Sequence, residues 1–149
     1  MGWVSPTGHA GTAPAWAAPQ QAYDENEATA ASWGWGTPAC NYSGPIVLTH
    51  DALQCTKIRF LANPAQSDTV KVELYYDGAW HEIYSGGITG AWQEVEFSEV
   101  TTSQMRFTFH VINVFAGSSM PSLYEVDFWE VPPPVVRRVL MDGLVVVAT

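Results

Sequence analysis

From residue 45 onward, apolar and polar side chains alternate with a period of two. In the run 70–76, Val70, Val72, Leu74 and Tyr76 fall on one side, with Lys71 and Glu73 on the other. A half-buried strand requires this pattern. Met105, Phe107, Phe109 and Val111 likewise oppose Arg106, Thr108 and His110. Shorter alternating or apolar runs lie at 45–49, 57–60, 92–97 and 124–129. Asp77-Gly78 separates run 70–76 from Trp80-His81-Glu82-Ile83-Tyr84, which is a strong hairpin signal. Gly86-Gly87 and Gly90 mark the next turn. No window of about eleven residues keeps a helical period. Regularly spaced strands with glycine-rich turns predict an all-β sandwich or barrel rather than alternating strands and helices.

The ends differ from this body. Residues 1–15 carry Pro6, Gly8, Gly11 and Pro14, which keep regular structure short, yet Trp3 needs cover. The body is expected over 16–131. Pro132-Pro133-Pro134 then forms a stiff extended spacer. Beyond it, 135–149 places two β-prone runs around Asp142-Gly143, a hairpin arm with Val136, Val139, Leu140, Leu144 and Val146 on its apolar face. A lone apolar hairpin is marginal in water, so it must dock. Two readings stand open: an edge of its own domain, or a neighbouring subunit in a homo-oligomer or larger assembly.

Composition narrows the partners. The chain has 149 residues, 15 acids against six bases and a net charge of -9. Such a surface repels phosphate backbones and anionic bilayers, so neither nucleic acid nor membrane insertion is expected. The start has no basic n-region followed by an apolar stretch, so no secretory signal is read there. Cys40 and Cys55 are the only cysteines, open to one disulfide or two buried thiols. Catalytic motifs are missing from the sequence. His9, His50, His81 and His110 lack metal-site spacing, and Ser118-Ser119 sits in no nucleophile elbow. Glu94 and Glu96 share one strand face about 7 Å apart, a spacing that solvated surface acids also give. Aromatics are the better candidates. Trp33, Trp35, Tyr42, Trp80 and Phe115 could present ring planes to sugar C–H faces. Trp16, Trp92 and Trp129 are further candidates, and core packing is the plain alternative for each.

Three segments carry a family resemblance. The stretch Ala22-Tyr23-Asp24-Glu25-Asn26-Glu27-Ala28-Thr29-Ala30-Ala31-Ser32-Trp33 is similar to a segment with the pattern A-x-D-G-N-x-x-T-x-x-W. Runs 57–60 and 70–80 match central strands, and Met105-Arg106-Phe107 with 123–128 match the closing strands. Together they resemble the discoidin, or coagulation-factor C-type, family, which includes many bacterial carbohydrate-binding modules. The resemblance implies a jelly-roll β-sandwich without catalysis. In family members that bind calcium it also implies a structural Ca2+ at positions matching Asp24, Asn26, Thr29 and Glu125. Glu25 departs from the pattern, standing where the family has glycine. The opening Trp3-Val4-Ser5-Pro6-Thr7-Gly8-His9 more loosely resembles structural proteins of tailed phages. The expectation is therefore a virion decoration or attachment protein, its sandwich binding a neighbour or a glycan and its arm mediating assembly. The alternative is a stand-alone, extracellular carbohydrate-binding module or lectin-like oligomer.

Overall fold

The computed structural model describes residues 1–34, 41–64, 67–112 and 121–135. Among the described residues ten strands run in chain order: β1 (Gly2–Val4), β2 (Gly8–His9), β3 (Trp16–Ala17), β4 (Ala31–Trp33), β5 (Asn41–Tyr42), β6 (Ile46–Asn63), β7 (Ser67–Tyr76), β8 (Ala79–Gly86), β9 (Gln93–Val111) and β10 (Ser122–Glu130). A 3-10 turn, Pro19–Ala22, lies between β3 and β4. Every strand pair is antiparallel, as expected for an all-β jelly-roll sandwich.

The long strands β6 and β9 serve both layers. In one layer, 104–111 of β9 lies between β7 and the first residues of β6, with β8 outside β7. In the other, 55–63 of β6 lies between β10 and 93–100 of β9. The sequence pattern read 45–49 and 57–60 as separate strands. They are one strand broken by register shifts at Thr49/Leu53 and Cys55/Lys57. Such irregularities bend a strand, letting it pass from one layer to the other while keeping its hydrogen bonds.

Inward side chains of the two layers meet as a dry core. Ile58, Phe60, Val126 and Phe128 face Ile46, Leu48, Val72, Leu74, Met105 and Phe107, all fully buried. The Phe60 and Phe107 rings touch edge to face at 5.5 Å, a contact between layers. The Asp77-Gly78 turn forms as read: both residues have positive φ, 51° and 76°, and Tyr76 pairs with Ala79. Cys55 is a buried free thiol that donates to the Lys57 carbonyl, and burial raises its pKa to about 11. Cys40 lies outside the described residues.

The glycine- and proline-rich start is tied down by short strands. β1 pairs with one end of β10, and β2 with β6. Past β1, Ser5 reaches over the outward side of β10 to Asp127, and the Asn26 N–H reaches Glu125. The strand is therefore buried on both faces, with Val126 and Phe128 inward and Glu125 and Asp127 outward. Two carboxylates beneath a cover of chain are the starting point of the site.

Candidate functional site

Asp127 and Arg59 stand opposite each other in register on β10 and β6. Arg59 donates from Nε (2.8 Å) and Nη2 (2.7 Å) to Asp127 Oδ2, and Ser5 Oγ donates to Oδ1 at 2.9 Å. Asp127 is only 7% exposed, so these donors are what allows its charge to stay buried. The guanidinium carbon lies 4.6 Å from the Trp3 ring centroid and 4.3 Å from that of Trp92. Two indoles thus hold one cation. Lys57 repeats the motif, 5.1 Å from Trp3 and 4.6 Å from Trp129, and pairs with Glu94 at 3.3 Å. Period-two alternation puts Lys57 and Arg59 on this outer face. The N-terminal strand brings Trp3 to them.

The loop 23–29 closes one side. Asp24 Oδ2 accepts from the Thr29 hydroxyl (2.7 Å), and Oδ1 from the Asn26 N–H (3.1 Å). The same N–H reaches Glu125 Oε1 at 2.8 Å. Asn26 Oδ1 accepts from Ala28 N–H at 3.1 Å. The four residues named from the family pattern therefore converge, although 99 positions separate Asn26 from Glu125. Burial lifts the Glu125 carboxyl to a pKa of about 7, helped by the negative Asp24 and Asp127 and opposed by the Asn26 N–H. Burial also acts upward on Asp24, but hydrogen bonds from Thr29, Glu125 and Asn26 outweigh it and hold that carboxyl below its usual range. Opposite shifts in these two acids mean that below about pH 7 Glu125 holds a proton that it shares with ionised Asp24.

A divalent cation is the other way to satisfy such a pair. Among the described residues no three His, Cys, Asp or Glu side chains converge as a metal site. The cluster instead offers two carboxylates with the Asn26 amide and Thr29 hydroxyl oxygens, a hard-oxygen set that fits Ca2+ in kind.

Glu25 adopts φ 59°, the left-handed region where a β-carbon is strained. This explains glycine in the family pattern at that position. Glu25→Gly is expected to stabilise the domain by about 0.5–1 kcal/mol, the relief of strain being partly offset by the looser unfolded chain. Glu25→Ala removes charge without relieving φ and separates the two causes. Urea midpoints of the three proteins measure it, and a Gly variant no more stable than the Ala variant would sink the strain account.

Between the loop and the Arg59 face opens a cleft of about 260 Å³, walled by Trp3, Trp92, Glu25 and Glu27 over Arg59, Asp127 and Glu125. Trp92 Nε1 donates to Glu27 Oε1 at 3.0 Å and fixes the indole across the opening.

The aromatic residues picked from sequence scatter. Trp33 is a correction: at 8% exposure it belongs to the core, its ring 5.6 Å from that of Trp16. Gly44 approaches it so closely that an added β-carbon would sit 3.0 Å from the indole. Tyr42 is 49% exposed, beside His110. Trp80 lies on the same outer layer but under Arg106, packed on Tyr75. His110 and Arg106 are four residues apart on β9, about 13 Å, so Tyr42 and Trp80 do not share a site. Trp35 and Phe115 lie outside the described residues, as do all five arm positions from Val136 to Val146. Sequence reasoning missed Arg59, Asp127, Glu27 and Ser5. Arg59 was visible as an outward residue of an alternating run, but its partner was not.

No family model matches the chain, and no curated protein matches it in sequence. Solved structures do match. The C-terminal domain of a chitobiase from Bacteroides fragilis superposes with a TM-score of 0.66 at 16% identity, covering 87% of this chain and 98% of that one. The CBM32 of AlyQ, solved with 4,5-unsaturated mannuronic acid, gives 0.59 at 17%, covering 87% and 98%. Chitosan-binding module 1 of a Paenibacillus chitosanase/glucanase gives 0.60 at 16%, covering 86% and 92%. A match to SpGH29 covers 89% of this chain but 27% of that one, so the chain spans about a quarter of its length. The chain thus has the discoidin-like β-sandwich fold of carbohydrate-binding modules.

Proposed function

We propose that the chain is a non-catalytic glycan-binding module acting outside the cell, with the Trp3–Arg59–Trp92 cleft as its binding site. One observation carries the reading: an open cleft with indole walls and fixed hydrogen-bonding groups, on a fold whose near-full-length neighbours are carbohydrate-binding modules. Indoles offer faces to sugar C–H groups, while Arg59, Glu27 and Ser5 offer partners for hydroxyls. Asp24, Asn26, Thr29 and Glu125 hold a structural Ca2+ in this reading. It would fix the loop that carries Glu25 and Glu27, and the charge it supplies would take the place of the shared proton. A place in a virion, and self-association through the 135–149 arm, draw no support from the neighbours named above.

Titration with soluble oligosaccharides, followed by tryptophan fluorescence or calorimetry, tests the site. Trp92→Ala is expected to weaken binding by about tenfold or more, the scale of losing one stacked ring. Tyr42→Ala, on the other layer, is expected to leave it unchanged. The opposite result would move the site to the loops around Tyr42 and overturn the cleft.

A further inference from the structure

The cleft has a neighbour. A second hollow of about 270 Å³ is formed by Leu61, Asn63, Pro64, Gly90 and Tyr124, and Glu27 borders both. Arg59, Leu61 and Asn63 alternate with the buried Ile58, Phe60 and Ala62, so all three point to the same outer side of β6. The two hollows therefore follow one another along a single strand over about 13 Å, four residue rises. The Glu27–Trp92 hydrogen bond stands between them.

Charge along this line is one-sided. The walls carry Glu25, Glu27, Glu125 and Asp127 against Arg59 alone. Arg59 is taken up by Asp127. Elsewhere Lys57 pairs with Glu94, and Lys71 and Arg106 both pair with Glu73. Every Lys and Arg among the described residues thus already faces a carboxylate. Glu25 and Glu27, both exposed on the cleft wall, pair with no Lys or Arg among the described residues. Among the described residues a carboxylate-bearing sugar would meet only Arg59, already paired with Asp127, whereas an ammonium group would find Glu27 at the divide.

From this placement we infer that the two hollows form one track for an extended glycan, with subsites either side of the Trp92–Glu27 bond. The track selects chains that carry free amino groups over chains that carry carboxylates. The inference rests on the glycan-binding reading and names the ligand class for the same site. The amine would sit against Glu27, the sugar rings would lie on Trp92 and on the apolar wall of Leu61 and Tyr124, and the chain would run parallel to β6.

Calorimetric titration of the full chain with four probes tests it: a β-1,4-linked glucosamine tetramer, the matching glucosamine dimer, the fully N-acetylated tetramer and a mannuronate tetramer. The amine tetramer is expected to bind about tenfold more tightly than the mannuronate at low salt, with the gap shrinking as salt rises. It should also bind several-fold more tightly than the glucosamine dimer, because the dimer fills one hollow. Glu27→Gln keeps an acceptor for the indole N–H, and it should cut the preference for the amine over the N-acetylated chain by about threefold. Equal or stronger binding of mannuronate, or no gain from dimer to tetramer, overturns the inference while leaving glycan binding itself standing. Failure of all four probes to bind overturns the inference and the glycan reading together.

Discussion

Replacing Arg59 by alanine is expected to lower the unfolding free energy by about 3 kcal/mol and to remove the floor of the cleft. Asp127 is 7% exposed and holds its charge through two bonds from Arg59 and one from Ser5. Without the guanidinium, one hydroxyl is left to solvate a buried carboxylate, and that uncompensated charge dominates the loss. Release of the cation between Trp3 and Trp92 adds a smaller amount, about 0.5–1 kcal/mol per ring. Asp127→Asn alone should also destabilise, since Arg59 then lacks its ionic partner. The double variant buries no charge in place of the pair. It should therefore lose less than the sum of the two singles, with a coupling of about 2 kcal/mol. Arg59→Lys keeps the charge but not the planar fork, and should recover only part of the loss. Denaturant midpoints for the four variants close the cycle. A loss below about 1 kcal/mol for Arg59→Ala would mean that the indoles and β1 hold this face without the ion pair.

The same ion pair marks the limit of what the sequence shows. Period-two alternation assigns residues to faces within a strand, so Lys57, Arg59, Lys71 and Arg106 were all readable as outward. It carries no information on which strand lies alongside, and Arg59 and Asp127 are 68 positions apart. The loop 22–33 was legible for the opposite reason. Asp24, Asn26 and Thr29 make a local Asx-type turn whose bonds span five residues or fewer, and the family pattern supplied the distant Glu125. Strand lengths were misread because bulges keep a strand's hydrogen bonds while breaking its alternation. The 18 residues of β6 thus looked like two pieces. Trp33 was misplaced because tryptophan beside glycine reads equally as a loop ligand or as an indole packed on bare backbone. Gly44, from a separate segment, decides for packing.

Stability should fall as pH rises from about 4.5 to about 7, opposite to the usual behaviour of a paired carboxylate. The cause is Glu125, whose native pKa of about 7 stands above the ordinary glutamate value of 4.5. Below the unfolded value both states hold the proton, and its contribution is fully present. Between the two values the unfolded chain ionises freely while the native chain must either keep its proton or bury a second negative charge beside Asp24. Above about 7 the contribution is gone. The interval corresponds to about 3 kcal/mol at most, and water at the cleft mouth should reduce it to roughly 2 kcal/mol. Asp24 acts with the opposite sign in a separate window: its depressed pKa adds stability that is lost only in stronger acid, as pH falls through its native value. Glu125→Gln keeps an acceptor for the Asn26 N–H and cannot ionise, so it should flatten the 4.5–7 slope and leave the acid limb intact. Under the proposed reading, calcium on the same oxygens would compete with the shared proton, so its addition should raise the melting temperature at pH 8 and do little at pH 5. Thermal melts of the native chain and Glu125→Gln, with calcium and with chelator, read both effects. A slope that survives in Glu125→Gln would place its origin elsewhere in the domain. A calcium shift equal at both pH values would separate the cation from the proton.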